Sequence, residues 1–521
     1  MMLLLDAPRI SRLQVEFRQS MRALLAALCD DIEHDYADHA DRLDLPVGYF
    51  RFLARSLDLT MYSNWKVVGW IEALNDLVYF LDLLAQIKQE GDRRTFAQEL
   101  FAECEDKFFE NSYLEELFPG GQAQSTGLEG RLRRLCMRLS LDITQESLCI
   151  DPRRALDWIH GRRRASWTVR ASLEPSFERA EAAYTVPVGV DGGALIAPAS
   201  VRKAIGPPSR RATFLMRGNE IALQAGRSFP LCQVRGAVMH WHWPFRQATP
   251  AIAGSWGCVS VGPTLRYGRN REPNALSATD PKQIARIGRA WLAIERAWPE
   301  GHALMTLLTS RVIPLRAPGV VSFSYRHRPG LSFVNCFDRD NLDLIDDLIH
   351  ENSHHHLNLL LRKHVLYRGD RNQQIFYSPW RRCLRPIRGI LHAAFTFTMG
   401  ALLFARLSTW ADTREGQIQW TQAGLTARHL IRARFRCLEE IESVRYSLHD
   451  LEYAGRHLKW ITASGARLVN QLEEAIVQAE QAVSRHRRAV LASSYGASLQ
   501  QHISELRGAR RTYGPMSFDQ A

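Results

Sequence analysis

Four histidines and one glutamate lie within seven consecutive positions of the stretch LIDDLIHENSHHHLNLLL, residues 344–361. The pattern HExxH begins there with His350 and Glu351 and ends with His354. On an α-helix, residues four positions apart lie one above the other on the same face. Two imidazoles at this spacing can bind one metal ion, so the pattern predicts that His350 and His354 are metal ligands.

The residues around HExxH predict a helix that is buried on most sides. Neither glycine nor proline interrupts residues 341–363, and leucine and isoleucine recur through them. Two further histidines, His355 and His356, lie about 100° and about 160° around this helix from His354. We therefore expect them to pack in the core or to support the ligands, and not to bind the metal.

A third ligand is needed, and two familiar patterns do not supply it. Leu357 and Leu360 occupy the glycine and third-histidine positions of the metzincin pattern HExxHxxGxxH. The thermolysin-like gluzincins use a glutamate on a later helix. Three glutamates are available for that role but lack the sequence context of that group: Glu439, Glu440 and Glu442.

A stronger candidate for the third ligand is His392, in the segment YSPWRRCLRPIRGILHAAFTF. Pro386 is suited to the first turn of a helix. On that predicted helix Arg385, Arg388 and His392 share one face, at positions i, i+3 and i+7. A guanidinium binds a carboxylate through two parallel hydrogen bonds. An Fe(II) site that uses 2-oxoglutarate requires a metal beside such an arginine, because the keto acid chelates iron and its distal carboxylate needs a cation.

Three segments, LIHENSHHHLNLLL, YSPWR and RPIRGILHA, together resemble a known family. With the preceding VIPL and VVSFSYRHRPGLSFVN, they are similar to the HExxH-motif peptide-modification proteins, which are 2-oxoglutarate-dependent peptide β-hydroxylases. The likeness covers residues 290–407, about a quarter of the chain. It implies hydroxylation of a β-carbon in a ribosomally made precursor peptide, with Fe(II), O₂ and 2-oxoglutarate. It also implies that His350, His354 and His392 bind the metal.

The resemblance implies roles for further residues. Arg385 and Arg388 are both candidates for binding 2-oxoglutarate, and the sequence does not choose between them. Tyr377 and Ser378, with Trp380, are expected to line the cosubstrate pocket. Glu351 is expected to orient a ligand or bind substrate. Because three histidines differ from the common set of two histidines and one carboxylate, Glu351 or a later glutamate is an alternative ligand, although position i+1 points about 100° away from His350.

Two other functions remain open. In a zinc metallopeptidase, Zn²⁺ and Glu351 would activate water for attack on an amide. A peptide-binding or scaffold protein with a degenerate site would need neither. A second histidine pair, His240 and His242 in VMHWHWPF, shares one face of a predicted strand. We expect that pair to pack or to line a substrate site, and not to form a second metal centre.

The amino-acid composition limits the kinds of binding partner and the cellular compartment that we expect for this protein. The 521 residues carry a formal net charge of +12, which favours an acidic partner. No zinc finger or RNA-binding signature is present, so we expect no nucleic acid. Two basic segments, HGRRRASW and SRHRRAV, are candidates for binding an acidic leader of the precursor peptide.

Nine scattered cysteines indicate reduced thiols in a cytoplasmic protein. No stretch of about 18 uncharged apolar residues predicts a membrane span.

The helices and strands expected from the sequence indicate an α+β fold that is mostly helical. We expect a helical N-terminal domain (1–160), a β-rich region that is a candidate for peptide binding (161–280), an HExxH core (281–410) and a helical C-terminal region (411–521). The core is expected to be zincin-like, with a strand beside the HExxH helix. Hairpin turns are predicted at residues 217–219 and around Pro329-Gly330. The oligomeric state is open.

Overall fold

A computed structural model describes most of the chain. The residues it describes are 6–43, 45–87, 92–108, 113–148, 166–170, 211–217, 220–225, 227–235, 238–241, 251–254, 257–262, 264–267, 273–277, 279–368 and 373–514. They form two compact units. The HExxH unit comprises Met1–Phe17, Pro250–Gly262 and Thr279–Ala521, and the N-terminal unit comprises Arg18–Thr249 and Pro263–Ala278.

Helices make up most of the described residues in the first part of the chain. They are α1 (Ala7–Asp35), α2 (Ala37–Arg42), α3 (Val47–Ser56), α4 (Trp65–Ile87), α5 (Arg93–Lys107), α6 (Tyr113–Leu117) and α7 (Leu128–Leu148), with short 3₁₀ turns at Leu59–Ser63 and Pro119–Gly121. The aromatic rings of Phe50 and Trp70 stack with their centroids 5.4 Å apart in the core of the N-terminal unit. Burial of such rings contributes to the stability of this core.

The N-terminal unit also contains an antiparallel sheet in which the strands pair in sequence order. They are β1 (Ser166–Arg170), β2 (Arg211–Arg217), β3 (Glu220–Ala225), β4 (Arg227–Arg235) and β5 (Val238–Trp241). Arg217 pairs with Glu220, so the predicted hairpin is confirmed, while Gly218 and Asn219 lie outside the described residues. A second hairpin joins β8 (Thr264–Tyr267) to β9 (Pro273–Ser277).

The HExxH unit contains a small mixed sheet. Its strands are β6 (Ala251–Gly254), β7 (Gly257–Val261), β10 (Arg311–Arg316), β11 (Phe323–Ser324) and β12 (Leu331–Asn335). The order is β11-β12-β10-β7-β6, in which β10 is parallel to both β12 and β7. β11 and β12 are antiparallel, and Gly330 before β12 has a φ of 86°, which confirms the turn predicted around Pro329-Gly330.

Helices surround this sheet and complete the HExxH unit. They are α8 (Pro281–Ala297), α9 (Pro299–Leu308), α10 (Asn341–Lys363), α11 (Ile387–Ala411), α12 (Arg414–Gln422), α13 (Ala427–Arg456), α14 (Ala463–Val483), α15 (Arg487–Leu491) and α16 (Gly496–Tyr513), with a 3₁₀ turn at Ser484–His486. A two-stranded hairpin, β13 (Phe376–Ser378) and β14 (Cys383–Arg385), precedes α11. The described residues therefore form a mostly helical α+β fold with a small mixed sheet, as predicted.

The HExxH sequence lies on α10, which begins with a complete capping box. The Asp340 carboxylate accepts hydrogen bonds from the backbone N–H groups of Leu342 and Asp343, and the Asp343 carboxylate accepts one from the backbone of Asp340. Such a cap stabilises a helix start by about 1 kcal/mol. Arg432 from α13 donates to both carboxylates, so the start of α10 is tied to the C-terminal helices.

The neighbouring helix α11 lies in the core of the unit. By length and composition it is the one described helix that could cross a membrane, so the sequence-based expectation that no segment is apolar enough was too strict. However, 78% of its most apolar window is buried within the protein. It therefore packs as a core helix of the unit, and its first turns carry Arg388 and His392.

Candidate functional site

The two histidines of HExxH lie together on α10. The ring centroids of His350 and His354 are 5.0 Å apart, and the rings are nearly perpendicular. Both side chains are half-buried, whereas the other residues of α10 from 348 to 359 are buried. The two imidazoles are therefore the accessible side chains in the middle of this helix.

His392, on α11, lies beside His354. Its ring centroid is 6.2 Å from that of His354. A metal about 2.0–2.1 Å from each ligating nitrogen places neighbouring imidazole centroids about 5 Å apart. The separation of His350 and His354 matches this value, and that of His354 and His392 is about 1 Å wider. Accordingly, no group of three His, Cys, Asp or Glu side chains among the described residues is already arranged to hold a metal ion.

The three imidazoles are electrically suited to be ligands. Burial lowers the pKa of His350, and it lowers that of His354 still further, with added contributions from the charges of His350 and His392. Burial and the charges of Arg388, Arg326 and Arg385 lower the pKa of His392 to about 4. At neutral pH all three rings are therefore uncharged, which is the form that binds metal.

Arg385 is not on the helix that carries His392, so the prediction that it shares a helical face with Arg388 and His392 is wrong. It is the last residue of β14, and α11 begins at Ile387 with Pro386 as its N-cap. Its guanidinium nevertheless reaches the first turn of α11: a Cβ built on Gly389 would lie 2.9 Å from Arg385 Nε. Arg385 and Arg388 are both half-buried, and we call them the inner arginines.

Two further arginines have charges that act on the histidines, and sequence reasoning missed them. Arg326, in the turn between β11 and β12, contributes to the lowered pKa of His392, after burial and Arg388. Arg381, in the turn between β13 and β14, contributes to that of His350, after burial and Arg436. Both side chains are exposed. We call Arg326 and Arg381 the outer arginines; neither forms an ion pair with a described residue.

An aromatic wall lies beside His350. The ring of Phe397, on α11, is 5.0 Å from that of His350. Trp380 stacks on Phe397 with centroids 4.2 Å apart and planes 7° from parallel. The Trp380 indole N–H donates a hydrogen bond of 2.7 Å to Glu440. Trp380 therefore packs against the ring that lies beside His350.

Tyr377 and Ser378, three and two positions before this tryptophan, have different surroundings. The Tyr377 ring stacks on Tyr513 at 5.5 Å and meets Tyr446 at 5.8 Å, so it packs against α16 and α13. Ser378 is fully buried, and its hydroxyl has no hydrogen-bond partner among the described residues. No contact of either residue with the three histidines is evident in the described part of the chain.

Glu351 lies on a different face of α10 from the two histidines. Its side chain is 1% exposed, and burial, together with the charges of Asp347 and Asp346, raises its pKa to about 8. Ser324 on β11 opposes this shift. The two groups nevertheless miss hydrogen-bond geometry, because Glu351 Oε2 and Ser324 Oγ are both buried without a partner among the described residues.

The later glutamates have partners elsewhere. Glu440 accepts hydrogen bonds from Trp380 and Arg436. Glu439 lies 3.5 Å from the same arginine, and Glu442 lies 3.4 Å from Arg487. The alternative in which one of them serves as a third ligand gains no support from these contacts.

The two remaining histidines of α10 are core residues by their contacts. The backbone N–H of Gly330 donates to His355 Nδ1 at 3.3 Å, so the other ring nitrogen carries the hydrogen and donates to Ser332 Oγ at 3.1 Å. His356 is fully buried against Phe395, and both of its ring nitrogens lack a partner among the described residues. The packing role predicted for these two residues agrees with their surroundings.

Several sequence-based predictions concern residues of which little is described. His242 and residues 160–165 lie outside the described residues, and of His240 only the backbone position, within β5, is described. In the second basic segment, Arg485 and His486 both contact Asp412, and Arg487 lies near Glu442. Most of that segment's charge is therefore neutralised within the protein.

A scan of the sequence against protein-family models gave no match. A search of curated proteins gave no relative either.

Proposed function

We propose that this protein is an Fe(II)- and 2-oxoglutarate-dependent hydroxylase that modifies a β-carbon in a ribosomally synthesised precursor peptide. The observation that carries the proposal is the approach of His392 to within 6.2 Å of His354, ring to ring, beside the inner arginines. The assignment of a precursor peptide as substrate rests on the family resemblance of residues 290–407. We place the enzyme in the cytoplasm and regard β12 with α10 as a zincin-like unit.

The donor set fits a metal with three nitrogen ligands. The rings of His350, His354 and His392 form no hydrogen bond with any described residue, are uncharged at neutral pH and keep accessible surface. Binding of one metal ion by both His354 and His392 requires their rings to approach each other by about 1 Å. When bound, iron with 2-oxoglutarate and O₂ supplies the oxidising chemistry: one oxygen atom enters the peptide C–H bond and the other enters succinate, with release of CO₂.

The inner arginines bind the cosubstrate. Arg385 lies against Gly389 and has no ion pair with a described residue, so its guanidinium is available to a carboxylate. Arg388 is one turn of α11 before His392. A fork of two N–H groups on the distal carboxylate fixes the direction from which the keto acid approaches the three histidines.

A zinc metallopeptidase is the less well supported alternative. That reaction needs an ionised glutamate that faces metal-bound water. Glu351 instead lies on the face of α10 that meets β11, and the nearest charges to it are those of Asp347 and Asp346.

The test begins by loading the 521-residue protein with Fe(II) under nitrogen. 2-Oxoglutarate, O₂ and candidate precursor peptides are then added. We expect succinate release and a peptide heavier by one oxygen atom. If Zn²⁺ supports full peptide turnover and 2-oxoglutarate is dispensable, the proposal fails.

A sharper variant is Gly389→Ala. The added methyl group would lie 2.9 Å from Arg385 Nε, so the guanidinium must shift. Alanine also favours the helix by about 1 kcal/mol. We expect unchanged or higher thermal stability with an apparent affinity for 2-oxoglutarate lower by about 10-fold or more, because loss of one charge-assisted bond costs about 1.5–3 kcal/mol. Gly400→Ala on the same helix, where the nearest atom is 3.8 Å away, is the matched control.

A further inference from the structure

A buried glutamate outside the histidine cluster contacts the aromatic wall beside it. Glu440, on α13, is 2% exposed, and its two carboxylate oxygens have different partners. Oε1 accepts a hydrogen bond of 2.9 Å from Arg436, one turn earlier on the same helix. Oε2 accepts one of 2.7 Å from the indole N–H of Trp380, in the turn between β13 and β14. The carboxylate therefore joins α13 to the hairpin that precedes α11.

Charge balance does not explain this buried carboxylate. The Arg436 guanidinium also lies 3.3 Å from Asp346 and 3.5 Å from Glu439, so it keeps two carboxylates without Glu440. Burial raises the pKa of Glu440 to about 7, although Arg436 and Trp380 oppose the shift. A carboxyl group that is harder to ionise in the folded than in the unfolded protein costs stability above its ordinary pKa. The charge of Glu440 therefore does not stabilise the fold at neutral pH.

The second carboxylate oxygen of Glu440 points to another role. Trp380 is half-buried, and the indole N–H is the only polar group of its side chain. The acceptor on α13 therefore fixes the rotation of the indole plane. In this orientation the indole lies 4.2 Å from Phe397 and 7° from parallel to it. Phe397 in turn meets the His350 ring at 5.0 Å, so one hydrogen bond reaches a proposed metal ligand through two ring contacts.

We propose that Glu440 is a positioning residue: its carboxylate holds the Trp380 indole flat on Phe397 and so fixes the orientation of the His350 ring. The effect on metal binding rests on the proposed function, whereas the effect on Trp380 does not. Asp346, one turn before His350 on α10, contacts the same arginine as Glu440. The helix that carries the histidine and the hairpin that carries the tryptophan are thus held at one point of α13.

The test follows Trp380 in the full-length protein labelled with 5-fluorotryptophan. Of the 13 tryptophan signals in the ¹⁹F NMR spectrum, Trp380→Phe removes one and so assigns it. We expect Glu440→Leu to lower the ratio of held to released indole by about 10-fold or more, as for loss of one charge-assisted hydrogen bond, and so to shift or split this signal. Glu440→Gln retains an oxygen acceptor and should keep most of the parent signal.

Glu439→Gln is the matched control. Glu439 lies beside the same arginine but forms no hydrogen bond with Trp380 in the described part of the chain. Its substitution should leave the Trp380 signal unchanged.

A second measurement titrates Co²⁺, a paramagnetic substitute for Fe(II), into the same variants. Because residues behind metal ligands contribute about 10- to 100-fold to metal affinity, we expect Glu440→Leu and Trp380→Phe each to weaken Co²⁺ binding by about 10-fold. Glu440 acts through Trp380, so the double variant should bind Co²⁺ no more weakly than either single variant.

Four results would overturn the inference: a Trp380 signal in Glu440→Leu identical to that of the parent, an equal change in Glu439→Gln, unchanged Co²⁺ affinity in Glu440→Leu, or a double variant whose loss of affinity is the product of the single losses. If Co²⁺ binds the parent protein but the Trp380 signal does not respond to Glu440→Leu, only this inference fails. If Co²⁺ does not bind the parent, or binds His354→Ala equally well, the proposed function fails, and the ¹⁹F comparison alone decides whether Glu440 holds Trp380.

Discussion

Two pairs of histidines on one helix have opposite surroundings. His350 and His354 keep accessible surface, and their rings form no hydrogen bond with a described residue. His355 and His356, at the next two positions, are 3% and 0% exposed. The residue type and the helix are the same, so the difference comes from what packs on each face.

The buried pair differs internally as well. His355 binds the backbone of Gly330 and the hydroxyl of Ser332, and so ties α10 to β12. His356 meets only the edge of Phe395 and leaves two nitrogens unpaired among the described residues. A histidine cluster thus divides into ligand candidates, a structural hydrogen-bonding residue and a core residue, and each class predicts a different response to substitution.

The largest expected effect is loss of metal on substitution of the accessible pair. In His354→Ala the ring that lies between His350 and His392 is removed. Because even residues behind the ligands contribute about 10- to 100-fold to metal affinity, we expect Fe(II) affinity to fall by more than about 100-fold. Measurement of bound iron after reconstitution checks this. Equal iron content in His354→Ala and in the control His356→Leu would remove the distinction between the two pairs.

The next effect is on folding. His355→Leu would leave the backbone N–H of Gly330 and the hydroxyl of Ser332 buried without their partner. Each unpaired group costs about 1–3 kcal/mol, so we expect the free energy of unfolding to drop by about 2–4 kcal/mol. Urea denaturation measures this. His355→Gln, which retains a donor and an acceptor, should recover part of the loss; a neutral result for His355→Leu would contradict a structural role.

How far the sequence predicts this division depends on whether the partner is local. The spacing of His350 and His354, and the rotation of His355 and His356 away from them, follow from helix geometry alone. The capping by Asp340 and the turn at Gly330 are likewise local. By contrast, the partner of His355 on β12 and the ring of Phe395 on α11 come from elements packed later, which periodicity along one helix does not encode.

The arginines illustrate the same limit. Pro386 was a correct signal for a helix start, but as the N-cap it leaves Arg385 outside the helix, on β14. Its guanidinium reaches α11 because Gly389 makes room, a tertiary contact that helical spacing does not predict. Arg326 is on a turn of another strand pair. A basic residue near a turn is an ordinary surface feature in sequence, and only packing brings it to the histidines.

A smaller effect of opposite sign is expected for the unpaired core histidine. His356→Leu replaces a ring with two nitrogens that lack partners by an apolar side chain of similar size, beside Phe395. Removing a buried unsatisfied group is worth about 1–2 kcal/mol, so we expect the free energy of unfolding to rise by about that amount. Urea denaturation beside His355→Leu checks the sign. Destabilisation of both variants would indicate that the two buried histidines do not differ as described.

The smallest expected effect is on the pH dependence of stability, and it comes from a buried histidine away from the site. His302, on α9, is fully buried with both ring nitrogens unpaired among the described residues, and burial lowers its pKa despite the opposing charge of Glu295. In the unfolded chain an imidazole takes up a proton near pH 6.5. Its contribution to stability is therefore fully present above that pH and is lost as the pH falls, because the unfolded state binds a proton that the folded state excludes. We expect the free energy of unfolding to fall between pH 7 and about 5.5 in both proteins, and to fall by about 1 kcal/mol less in His302→Leu than in the parent protein. Urea denaturation at the two pH values measures this difference. Identical pH profiles for the two proteins would mean that the His302 ring is solvated in the folded state and does not belong with His356.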